Sequence, residues 1–71
     1  MKPYLRAQTP NVLRLNAAYA HFVARDEGKA RELLAQAKVA AERLPVAGHR
    51  AMEMDYAQRL GDLMEAPAPA L

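Results

Sequence analysis

Apolar residues recur at three- and four-residue spacing in three stretches of this sequence, and two short interruptions separate them. Val12, Leu15, Tyr19, Phe22 and Val23 mark one face of a first helix. Thr9-Pro10 opens it, because a threonine hydroxyl can accept from orphan amides and proline suits the first helical position. Helix 1 is therefore predicted from about Pro10 to Arg25. Asp26-Glu27-Gly28 breaks the pattern and supplies an acidic cap for a second helix. Its stripe is Ala30, Leu33, Leu34, Ala37, Ala41 and Leu44, and Pro45 stops it by removing a ladder donor. A third helix is predicted over roughly residues 48–65, with Met52, Tyr56, Leu60 and Leu63 on its buried face. Connections this short make antiparallel neighbours. The expectation is an all-α three-helix bundle.

Composition agrees. Isoleucine is absent and valine occurs four times, so the β-branched supply that strands favour is missing. Alanine leads, followed by good helix formers. The organisation expected is an extended N-terminal arm over 1–9, a helical domain over 10–65 and a Pro/Ala-rich flexible tail over 66–71. A chain of 71 residues buries only about 60% of its unfolded surface. With no cysteine to supply disulfides or thiolate metal sites, helix packing, a second copy or a partner must supply the stability.

Ten basic against eight acidic side chains give a net charge of +2, far from a nucleic-acid signature. Lys2, Arg6, Arg14 and Arg25 precede the first acid, which makes a mildly basic arm. No stretch approaches a membrane span and no leader pattern opens the chain, so a cytoplasmic protein is expected. The alanine- and arginine-heavy usage resembles that of a GC-rich bacterial genome.

The chemistry available is narrow. Serine and cysteine are absent, Thr9 is better used as a cap, and the three glycines are isolated. His49 and Glu53 share a face at i,i+4, but two ligands do not make a metal site. No catalytic, cofactor or metal site is expected. Glu27–Arg31 and Asp55–Arg59 have the acid-before-base order that supports a solvated helix face. The acids of helix 3, Glu53, Asp55, Asp62 and Glu65, would repel a phosphate backbone. Met52 reads as core, whereas Met54 and Met64 fall toward other faces. Gly61 costs about 1 kcal/mol against alanine inside a helix, which calls for a close approach at that point.

Alanines on helix 2 should let helix 1 approach closely. Helix 1 also has a second apolar side, Leu13, Ala17, Ala20 and Ala24 with His21 beside it, which the main stripe leaves over. Leu15 to Tyr19, the run Ala30, Leu34, Ala37 and the closing Pro45 resemble the pattern of a tetratricopeptide (TPR) repeat, a helical hairpin. Asn16 stands where that family has glycine, the turn is about two residues longer, and Pro45 comes late. The whole chain is similar in helix count to MIT-type three-helix bundles, as is the run Tyr56-Ala57-Gln58-Arg59-Leu60. The TPR likeness implies a hairpin with a third capping helix and maps its concave binding surface onto Leu13, Ala17, Ala20, His21 and Ala24. The expected function is a non-catalytic protein–protein interaction module that binds a partner or a second copy. The alternative is a small DNA- or RNA-binding regulator using the basic arm and outward arginines.

Overall fold

The computed structural model describes residues 9–66, and the expectations for the arm over 1–8 and the tail beyond Ala66 lie outside them. Three helices follow one another: α1 (Pro10–Val23), α2 (Glu27–Glu42) and α3 (Ala47–Glu65). No strand occurs among the described residues. The protein is an all-α three-helix bundle.

Each boundary has a local cause. The Thr9 hydroxyl accepts from the Val12 amide, and Asp26 does the same for Lys29 at the start of α2. Helix α1 ends two residues before the predicted Arg25 because Arg25 turns left-handed, with φ 69°. The Arg25 amide donates to Phe22 O and the Asp26 amide to His21 O, at 3.0 and 2.8 Å. This is a Schellman closure with arginine where glycine is usual. After α2, the Arg50 guanidinium donates to Leu44 O at 2.6 Å and satisfies a carbonyl of the turn. No side chain caps the start of α3 at Val46.

The core is small-residue packing around a few large side chains. Leu15 and Ala18 from α1 meet Ala30, Leu34 and Ala37 from α2 and Ala57, Leu60 and Met64 from α3. Phe22, Leu33 and Tyr56 pack at its edge. α1 and α2 share the most extensive interface and α1 and α3 the least. The alanines of α2 permit the close approach of α1, as their spacing predicts.

Two helices are rotated from their predicted faces. On α3, Met52 and Leu63 are exposed, and the buried row is Glu53, Ala57, Leu60 and Met64. Met64 is thus core, Met52 is not, and Met54 is half-buried. On α1, Tyr19 and Val23 stand in solvent, while Asn11, Leu15 and Ala18 are buried. Asn11 and Glu53 explain the rotation. A polar residue at one end of each true stripe is hydrogen-bonded inside rather than turned out.

Candidate functional site

Glu53 is fully buried, yet faces no cation. Its two oxygens accept from Asn11 Nδ2 and the Thr9 hydroxyl, each at 2.9 Å. Asn11 Nδ2 also donates to Ala37 O at 3.0 Å, and Arg14 donates to Asn11 Oδ1 at 3.1 Å. One cluster therefore ties the first turn of α1 to the middle of α2 and to α3. Every buried polar side-chain atom among the described residues has a partner. A threonine hydroxyl beside a carboxylate is the outline of a nucleophile and base, but the carboxylate has no solvent access. This cluster is a structural staple, and Glu53 is not the surface charge that its type predicts.

The predicted surface, Leu13, Ala17, Ala20, His21 and Ala24, lies together on the back of α1, away from the core. Leu13, Ala20 and Ala24 are exposed, whereas Ala17 and His21 are half-exposed. His21 Nδ1 lies 3.3 Å from Asp26 Oδ2. His49 is exposed while Glu53 is buried, so the pair does not share an accessible face. No group of three or more potential metal ligands occurs among the described residues.

A concave surface lies where α1 and α3 part. Tyr19, Phe22, Val23, Arg25, Glu27 and Leu63 line a hollow of about 390 Å³ at their C-terminal ends. A second hollow, lined by Tyr19, Tyr56, Arg59, Leu60 and Leu63, shares Tyr19 and Leu63 with it. Together they form one groove, with Tyr19, Phe22, Val23, Leu60 and Leu63 as its apolar wall residues and Arg25, Glu27 and Arg59 as its charged ones. Met52 lies on the same side of α3, since residues four and eleven positions on, Tyr56 and Leu63, follow the helical repeat. The Tyr56 hydroxyl donates to Asn16 Oδ1 of α1. Burial pushes the Tyr56 phenol above its ordinary 10.0, and the neighbouring Tyr19 adds to the shift. The residues predicted as core on α1 and α3 are largely those of this groove. The available signal was a surplus: α1 and α3 carry bulky apolar side chains on more than one face, and Leu13, Tyr19, Val23, Met52 and Leu63 are left exposed.

The arginines are mostly engaged within the fold. Arg31 pairs with Glu27 at 3.8 Å and with Glu65, and Arg59 Nε lies 2.9 Å from Asp55 Oδ2. Both predicted i,i+4 pairs form. No helix among the described residues is long and apolar enough to cross a membrane. Comparison with known proteins gave no match among family models, curated proteins or solved structures.

Proposed function

We propose that this chain is a non-catalytic helical protein–protein interaction module, an adaptor or small subunit that docks through the groove between α1 and α3. One observation carries the reading. Among the described residues, four side chains larger than alanine are buried in the core: Leu15, Leu34, Leu60 and Met64. Seven large apolar ones stand exposed, among them Tyr19, Val23 and Leu63 of the groove and Met52 on the same side of α3. Single exposed apolar residues are ordinary, but a contiguous concave set marks an interaction surface. The TPR-like hairpin pattern points to the same class of function. Arg31 and Arg59 are paired with Glu27, Glu65 and Asp55, and the exposed acids Asp55, Asp62 and Glu65 of α3 oppose a phosphate backbone, which favours this reading over a nucleic-acid regulator.

The test compares Leu63→Glu with Leu13→Glu on the full chain. Both side chains are half-exposed, so both variants keep the wild-type helical circular dichroism. Association of any kind, with itself or with proteins of a source extract, is expected to fail in Leu63→Glu and to persist in Leu13→Glu. Finding no association that Leu63→Glu abolishes would overturn the reading.

A further inference from the structure

We propose that the groove's occupant is a second copy of this chain, with α3 of each copy lying antiparallel against α3 of the other about a two-fold axis. The proposal rests on the interaction-module reading and adds to it an occupant and a geometry. Its basis is one row along α3: Tyr56, Arg59 and Leu63, which line the groove, and the exposed Met52 one turn before them on the same side. Reversed, that row is chemically matched to itself. An isologous interface requires this property, because residue i meets j while j meets i. With the axis passing between residues 57 and 58, Met52 faces the second copy's Leu63 and Tyr56 faces the second copy's Arg59.

Each facing pair has a physical reason to form. The first is apolar on both sides, with Met52 at 52% and Leu63 at 47% exposure, and thus covers surface the bundle leaves in water. The second sets a guanidinium against an aromatic ring. That ring is held in place by the Asn16 hydrogen bond, so little ordering remains to be done on docking. Charge selects the direction. Asp55 and Arg59, paired at 2.9 Å, are both largely exposed beside the row. An antiparallel copy brings each Arg59 toward the other's Asp55, whereas a parallel copy sets Arg59 against Arg59. Tyr19 and Val23 of α1 then close on the partner helix from the groove's other wall.

The absence of cysteine makes the geometry directly testable. Light scattering of the full chain across a concentration series is expected to reach the mass of a dimer. Leu63→Glu, which acts twice per symmetric interface, is expected to raise the dissociation constant by about a hundredfold or more. In the double variant Met52→Cys/Leu63→Cys, mild oxidation is expected to link two copies, while either single variant links poorly. Positions 52 and 63 are about 16 Å apart along one helix, beyond the roughly 7 Å limit for a disulfide, so the bond must join two chains. A monomer mass at every concentration overturns the proposal, as does equal linking in a single variant. Should that monomer still take up an extract protein in a Leu63-dependent way, the interaction-module reading stands and only the second copy falls.

Discussion

The two halves of α1 meet the rest of the molecule differently. From Thr9 to Asn16 the helix is joined to α3 by side-chain hydrogen bonds, through Glu53 and then through Tyr56. From Tyr19 onward the two helices part, and Tyr19, Phe22, Val23 and Leu63 line a hollow instead of a seam. The closed half is fastened by Thr9, Asn11 and Asn16 around the buried Leu15; the open half carries Tyr19, Phe22 and Val23 along the hollow. Polar fastening and exposed apolar surface are thus divided along one helix. The polar bonds of the closed half set one register of α1 against α3 over a core made largely of alanine and leucine.

Removing the staple should break this division most severely. Glu53→Ala leaves the Thr9 hydroxyl without an acceptor in α3, leaves one Asn11 N–H unmatched, and opens a void at a fully buried site. Loss of about 2–3 kcal/mol is expected from the orphaned donors, read as a lower denaturant midpoint. Glu53→Gln keeps the volume and one accepting oxygen, so about 1 kcal/mol should be lost. A Glu53→Ala variant as stable as wild type would show that the cluster follows from the packing instead of fixing it.

How much of this was written in the sequence depends on the helix. Caps and stops were legible because each rests on one residue's chemistry: Thr9, Asp26 and Pro45 act where they stand. The α2 face was legible too, since Ala30, Leu34, Ala37 and Ala41 have a charged or polar residue on nearly every other side. On α3 two rows share the helical spacing and Leu60: Met52-Tyr56-Leu60-Leu63 and Glu53-Ala57-Leu60-Met64. Side-chain type favoured the first, and a buried carboxylate among neutral donors made the second the core. A carboxylate's burial depends on donors 42 and 44 positions away, which no local pattern contains. The groove was hidden for the same reason, its residues having been assigned to the interior. Alanine on α1 could not arbitrate, because it tolerates either environment.

A smaller substitution sharpens the contrast from the closed side. Gly61 faces α2, and a Cβ built there would meet Leu34 Cδ2 at 3.6 Å and Lys38 Nζ at 3.7 Å. Those are ordinary contact distances, so the close approach expected at this glycine leaves room for a methyl group. Gly61→Ala should therefore recover most of the helix-propensity difference, a gain of about 1 kcal/mol, seen as a higher melting temperature. A loss instead would mean that α2 and α3 are packed more tightly than their side chains require.

The smallest effect concerns the ion pair linking α2 to α3 near the chain's last helical turn. Arg31 donates to Glu65, and that bond, with the added charge attraction, holds the Glu65 carboxyl below its ordinary 4.5. A depressed folded value means the ionised form favours the native state. Its stabilisation is present above the unfolded value near 4.5 and disappears as pH falls through the lower folded value. Both side chains are largely exposed, at 49% and 69%, so the effect is modest and weakened by salt. Melting temperatures of wild type and Glu65→Gln, measured from pH 7 downward at low salt, should differ above this range and converge below it. Equal values throughout would mean the pair adds nothing. The α2–α3 seam would then depend on Leu34, Ala37, Ala57 and Met64, and the interhelical polar bonds that matter would be those that α1 makes, through Thr9 and Asn11 to Glu53 and through Asn16 to Tyr56.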